Sequence, residues 1–317
     1  MVSWLGERSL DAVAAALGRV CPELVGRPLE LHDMWVETGN PLWARSSAFV
    51  GDAWVVKFAW SEPAAIKLER EIHTLLALAT SERPPPVRRV HAWSSDPVLM
   101  VSPFVPGSPV LGNAIAQSSA AQVRHLGDEL ASVLAAFHHP ATRDAIERSG
   151  VQLPPPTPQA TTAELRARLC PMLDSPRRAR VDAWCDWVDG ALAANEPDAV
   201  VLHGDFHGYN LVVDESQQVR AVLDLEEASR GDYHYDFRYL PAQEPTLGLL
   251  RATVASYERL TKRRVSLDRV MAWHVRTVHG DALWRTEADV ALPGGGTPAS
   301  WIDELAARMT ALDLARV

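Results

Sequence analysis

Apolar and polar residues recur along the chain with two different periods, and the change of period divides it. Leu10 to Leu24 places apolar residues three and four apart, with Asp11 near the start, and predicts an amphipathic helix. Three runs follow, Leu29 to Glu37, Leu42 to Val50 and Ala53 to Trp60, separated by Gly39-Asn40 and Gly51-Asp52. They predict antiparallel strands, with Gly51-Asp52 as a hairpin turn. Pro63 to Ala79 returns to helical spacing, Arg83-Pro84-Pro85-Pro86 is a stiff extended connector, and Val87 to Trp93 and Val98 to Ser102 predict two more strands. After Pro103-Phe104-Val105-Pro106-Gly107 the helical period dominates: Ser118 to His139, Arg166 to Leu173, Arg177 to Asn195, Pro245 to Arg263, Ser266 to Glu287 and Pro298 to Leu314. Leu153 to Thr162, with three consecutive prolines, predicts a surface loop. Short apolar runs before His203, at Leu211 to Val213 and at Ala221 to Leu223 predict buried strands inside this helical half. The expected class is α+β in two lobes: residues 1–102, a linker at 103–107, and residues 108–317.

Composition narrows the partners. With 317 residues, 47% hydrophobic and 22% charged, the chain can bury a sizeable core. A net charge of −9 weighs against nonspecific nucleic-acid binding and is compatible with a cationic ligand. No basic start precedes an apolar run of secretory type, and no window approaches a membrane span, so a cytoplasmic protein away from the membrane is expected. Cys21, Cys170 and Cys185 have no metal-site spacing, which fits reduced thiols. The pattern leaves the oligomeric state open.

The candidate chemistry lies between Val200 and Tyr239. His203-Gly204-Asp205 follows a strand, Asn210 stands five residues after Asp205, and Asp224 stands nineteen after it at the end of another apolar run. Two carboxylates and a carboxamide held where strands meet loops suit magnesium-dependent phosphoryl transfer, in which one carboxylate accepts the hydroxyl proton and the other oxygens hold the metal. At these residues the chain resembles the aminoglycoside phosphotransferase family, small-molecule kinases with a protein-kinase-like fold. The resemblance implies an enzyme with a small antiparallel-sheet N-lobe and a larger, mostly helical C-lobe. Asp205 would be the catalytic aspartate, Asn210 and Asp224 the Mg2+ ligands, and ATP or GTP the phosphate donor to a hydroxyl of a small molecule. It extends from about Leu29 to Leu240. Sugar, amino sugar, choline-like and homoserine kinases would be served by the same motif, and a catalytically silent binding module that keeps the fold is the alternative from another class.

Other residues take roles from the same resemblance. Lys57, in Trp-Val-Val-Lys-Phe, points an ammonium from a strand into a cleft and matches the lysine that touches the nucleotide phosphates. Glu71 on the following helix is its expected partner, with Glu69 as the second candidate. The linker would contact the base through the Pro103 carbonyl and the Val105 amide. His203 is expected to buttress the catalytic loop, and His207 either lines the acceptor entrance or is simply exposed. Glu226, Glu227, Asp232, Asp236 and Glu244 crowd within twenty residues of Asp224. They are expected around the mouth of the site, with Glu227, Asp232 and Asp236 as acceptor contacts. The chain departs from the protein-kinase pattern at Thr38-Gly39-Asn40-Pro41, which lacks three spaced glycines, and at Leu225-Glu226 after Asp224. A second tripeptide, His279-Gly280-Asp281, sits in a helical pattern with Thr286 where an asparagine would be needed, and predicts a helix passage, with a cleft-facing Asp281 or Glu287 as the lesser alternative.

Overall fold

The computed structural model describes residues 2–32, 44–194, 197–244, 246–292 and 295–314. Helix α1 (Leu10–Val20), capped by Ser9 Oγ, packs Val13, Ala16 and Leu17 onto one face of a five-stranded sheet. The sheet runs β1 (Leu29–His32), β2 (Arg45–Val50), β3 (Trp54–Ala59), β5 (Val98–Pro103) and β4 (Ala92–Ser95), in the order β1-β2-β3-β5-β4, with every pairing antiparallel. Helix α2 (Glu62–Leu78) covers the other face, with Leu68, Ile72 and Leu75 buried. The turn predicted at Thr38-Gly39-Asn40-Pro41 lies outside the described residues. Val87 to Trp93 is mostly not a strand: Val87 makes one bridge to Val222, the His91 amide donates to Val101 O at 2.9 Å, and β4 begins only at Ala92.

The helical part opens with β6 (Ser108–Pro109), α3 (Gly112–Ala116) and α4 (Ala120–Phe137). Next comes α5 (Pro140–Ser149), which the hydrophobic pattern does not reveal; its signals are Pro140 at the first turn and Gly150 in the left-handed region at its end. The helix predicted over Arg166 to Leu173 is instead α6 (Thr162–Glu164) running into a single π turn, Leu165–Leu169, and a 3-10 turn, Cys170–Met172. Pro171 cannot donate the bond a regular helix needs there. Helices α7 (Ser175–Ala193), α8 (Gly248–Thr261), α9 (Leu267–Glu287) and α10 (Pro298–Ala311) complete the lobe. Among the described residues between α7 and α8 lie four short strands: β7 (Val200–Leu202), β8 (Leu211–Val213), β9 (Val219–Val222) and β10 (Ser229–Gly231). They form the pair β10-β7 and the sheet β6-β8-β9. Helices α4 and α8 cross closely because Gly127 has no side chain; a Cβ there would stand 2.6 Å from Ala252 Cβ.

One apolar core runs through both lobes, from Leu68 and Ile72 of α2 and Met100 of β5 to Leu130, Phe137, Leu202, Phe206, Leu225 and Phe237. Because the core is continuous, α2 and the loops after β7 and β9 are fixed relative to one another. All three cysteines are buried thiols, and no helix among the described residues is long and apolar enough to cross a membrane.

Four of the five carboxylates expected at the mouth are inside the protein. Asp236 is fully buried and Asp232 nearly so, and both serve the fold. Asp232 accepts from Arg269 Nε at 2.9 Å, Trp273 Nε1 at 3.0 Å and the His234 amide at 3.0 Å, while Arg269 also donates to Ala191 O and Leu192 O at the end of α7. This staples α7, α9 and the segment after β10 together. Glu244 caps α8 through the Leu249 amide, and Glu226 lies under β2 and β3. The aromatic residues Tyr233, Tyr235 and Phe237 pull this acidic segment inward, where each carboxylate must find donors.

A pH dependence follows for Asp232. Burial raises its pKa, but His234 and Trp273 outweigh it and hold the carboxyl below its ordinary range. A depressed folded pKa contributes stability above the unfolded pKa of about 3.9 and loses it as pH falls. Asp232→Asn, which leaves Arg269 buried without its counter-charge, should cost on the order of 3–5 kcal/mol at pH 7. Urea titrations should show that deficit narrowing below about pH 4. A deficit independent of pH would remove Asp232 from the charged staple.

Candidate active site

The site forms where the floor of the sheet meets the loops after β7 and β9. Lys57 sits in β3 between Val56 and Phe58, both buried, and its own residue is 7% exposed. Burial alone favours neutral lysine, yet Asp224, Glu226 and Glu71 keep the ammonium charged and lift its pKa above the usual lysine value. Lys57 Nζ lies 2.6 Å from Glu71 Oε2, 3.0 Å from Asp224 Oδ1 and 2.8 Å from Glu226 Oε1. Glu71 also accepts the Leu225 amide at 3.1 Å, so α2 is tied to the segment carrying Asp224. Glu69 makes no such contact and instead lines a surface groove with Ile66 and His73.

The loop after β7 is built around His203 and Gly204. His203 Nδ1 accepts the Asp205 amide at 3.1 Å and Nε2 donates to Leu223 O at 2.9 Å, so a neutral imidazole with its proton on Nε2 joins the two loops. Burial keeps it neutral by lowering its pKa. Asp236 accepts the His203 and Gly204 amides, both at 2.9 Å, and His138 Nε2 at 3.1 Å. Gly204 has φ +84°, and a Cβ there would lie 1.8 Å from Glu227 O. The second tripeptide is built differently: His279 is fully buried within α9, its ring stacked 5.6 Å from Trp184. Glu287 pairs with Arg168, with Nε to Oε1 at 2.9 Å.

Asp205 is held between His207 and Arg238. Burial raises its pKa, but His207 and Arg238 outweigh this and bring it to about 2. His207 Nε2 is 3.1 Å from Asp205 Oδ2 and Arg238 is 3.8 Å from Oδ1. Asn210 Nδ2 donates to Asp205 O at 2.9 Å and to Oδ2 at 3.2 Å, leaving the amide oxygen as its acceptor atom. Asp224 adopts φ +60°, and Lys57 and Arg45 depress its pKa against the effect of burial. Glu71, Asp224 and Glu226 bring carboxylate oxygens within 4.8 Å of one another, with Lys57 Nζ in contact with all three as their counter-charge. Of the remaining expected residues, Pro103 ends β5 exposed, Val105 is half-buried, and Glu227 is exposed with Lys67 Nζ 2.5 Å from its carboxylate. Arg45, Glu226 and Arg238 join the site without having been expected in these places.

A family model described as the phosphotransferase enzyme family, APH, matches residues 39–281, more than half of the chain. The chain belongs to this phosphotransferase family. No curated protein matches it. Among solved structures it is similar to the GDP complex of wild-type aminoglycoside 2'-phosphotransferase-IIIa, with 17% identity, a TM-score of 0.69, and 96% of this chain and 98% of that one covered. It is similar as well to the macrolide 2'-phosphotransferase MphH from Brachybacterium faecium, with 18% identity, a TM-score of 0.59 and coverages of 94% and 97%. A putative aminoglycoside phosphotransferase from Ralstonia eutropha gives 19%, 0.62, and 96% of both chains. These likenesses establish the two-lobed, protein-kinase-like phosphotransferase fold.

Within that fold Gly204 can be tested directly. Gly204→Ala should destabilise the protein on the order of 3 kcal/mol or more, because the left-handed conformation and the clash with Glu227 O act together. Gly150→Ala is the control: φ is +76° and nothing lies within 4 Å, so only the backbone cost of about 1–2 kcal/mol should appear. Equal losses in urea titrations of the two variants would show that the loop gives way.

Proposed function

We propose that this phosphotransferase moves the γ-phosphate of ATP or GTP, with Mg2+, to a hydroxyl of a small cationic molecule such as an aminoglycoside or a related antibiotic. The observation that carries this reading is the convergence of Asp205, Asn210 and Asp224 with the Lys57–Glu71 pair. Asp205, ionised above pH about 2, would orient the acceptor hydroxyl and take its proton as the bond to phosphorus forms. Lys57 would turn its ammonium to the donor phosphates while Glu71 keeps the side chain in place. Asn210 Oδ1 and Asp224 would hold magnesium, which when bound neutralises phosphate charge. Pro103 O and the Val105 amide would meet the base.

On the acceptor side His207 and Glu227 keep the roles expected of them, whereas Asp232 and Asp236 are buried in the fold. His207, its ring edge-on to Tyr239 at 5.4 Å, stands beside Asp205. Asp281 of α9, bonded by Trp284 Nε1 at 3.0 Å, is close enough to Asp205 for the two carboxylates to repel. Burial is the larger reason that its pKa is raised, and a cationic acceptor would relieve both effects. Asp281 thus takes the place of Asp232 and Asp236, with Glu227 further out. The net charge of −9 favours encounter with a cation.

Incubation with γ-labelled ATP or GTP and panels of aminoglycosides, macrolides, amino sugars and amino alcohols should label a cationic compound. Labelling confined to neutral or anionic acceptors contradicts the acceptor class. The two aspartates should separate. Asp205→Ala should bind magnesium nucleotide like the parent while turnover falls on the order of 10²–10⁴-fold. Asp224→Ala should lose magnesium-dependent nucleotide affinity as well. Matched affinity losses in both folded variants would refute the division of roles.

A further inference from the structure

Arg45 is the first residue of β2, and its position follows from the strand register. Ser47 pairs with Lys57 and Arg45 with Ala59, so Arg45 and Lys57 are diagonal neighbours on one face of the sheet. Arg45, Ser47 and Phe49 share that half-buried face, while Ser46, Ala48 and Val50 are buried on the other. At the linker end, the Phe49 ring stands edge-on to Phe104 at 5.7 Å. Arg45 lies four residues further along the strand, roughly 13 Å away at about 3.3 Å per residue. That distance is comparable with the reach of a nucleoside triphosphate from base to terminal phosphates.

The guanidinium spans the two lobes. Nε is 2.6 Å from Glu226 Oε1, the same oxygen that meets Lys57 Nζ at 2.8 Å. While Nε meets Glu226, the terminal nitrogen Nη2 lies 3.5 Å from Asp224 Oδ2. Arg45 keeps 22% of its side chain exposed, whereas Glu226 is 1% exposed and comes from the opposite lobe. A buried carboxylate beside Asp224 is costly, and here it fixes two cations at one point.

We propose that Arg45 is a second phosphate-binding residue of the donor site, with Glu226 as the positioning residue that aims Arg45 and Lys57 together at the terminal phosphates. The inference rests on the phosphotransferase reading above. Arginine suits the place: its fork can take two phosphate oxygens at once, while Lys57 acts as a point charge. A purely structural role, in which Arg45 only neutralises Glu226, would affect all nucleotides alike.

The test is a ladder of affinities for nucleoside, nucleoside diphosphate and nucleoside triphosphate, each with magnesium, measured on the parent and on Arg45→Gln and Arg45→Lys. Arg45→Gln should leave nucleoside affinity within about twofold and lower triphosphate affinity on the order of 10–100-fold, with the diphosphate between them. Arg45→Lys should recover part of the loss. A loss equal at every rung, or none at the triphosphate, overturns the proposal. If Arg45→Gln does not fold because Glu226 is left buried with Lys57 alone to balance it, the Arg45→Gln/Glu226→Gln pair is set against Glu226→Gln on the same ladder, and an equal triphosphate affinity in those two overturns the proposal. A parent that binds no nucleotide at all contradicts the phosphotransferase reading itself; a parent whose affinity rises with phosphate number beside an unchanged variant contradicts only Arg45.

Discussion

The structure depends on one buried ammonium. Lys57 is carried inside by β3, whose Val55, Val56, Phe58 and Ala59 all belong to the core, so its charge loses nearly all contact with water. Such a charge persists only if carboxylates are brought to it, and three are: Glu71 from α2, and Asp224 and Glu226 from the segment after β9. Lys57 therefore holds the cover of one lobe and the metal-candidate loop of the other in a single electrostatic cluster. Glu71 reinforces it through the Leu225 amide, and Arg70 Nη2 donates to Glu226 O at 2.8 Å.

From that cluster the order passes backward along the chain by hydrogen bonds. Leu223 O, next to Asp224, receives His203 Nε2, and the Leu223 amide reaches Asn210 O at 2.8 Å. His203 and Gly204 are in turn fastened by Asp236, which His138 holds from α4's end. Asp205 thus stands on a loop whose backbone is fixed from three sides, while its own carboxylate faces His207 and Arg238. A fixed backbone beneath a carboxylate that is itself held on both sides is an arrangement that would let an aspartate position a hydroxyl with little reorganisation.

Much of this was legible in the sequence because it is local. The apolar strands that bound Asp205, Asn210 and Asp224 are read from their own residues, as is the charged position inside the run at Lys57. What was not legible depends on distant packing or on a one-residue register. The acidic residues after Asp224 look alike as charges, yet interleaved aromatics bury Asp232 and Asp236, and burial converts them from ligand contacts into braces. Arg45 was missed through the hairpin: a two-residue Gly51-Asp52 turn would pair Val50 with Ala53, whereas the actual turn also takes in Ala53 and pairs Val50 with Trp54. A slip of one residue moves every side chain of β2 to the other face, and with it Arg45 away from Lys57.

The central claim, that the Lys57 cluster exists to act on phosphate, is tested most directly by the turnover of Lys57→Met beside its affinity for the unphosphorylated nucleoside. A methionine fills the same space without the charge. Turnover should fall on the order of 10²-fold or more while nucleoside affinity stays within about twofold, because the lost interaction belongs to the phosphates alone. A folded Lys57→Met protein that turns over at near-parental rate would contradict the account.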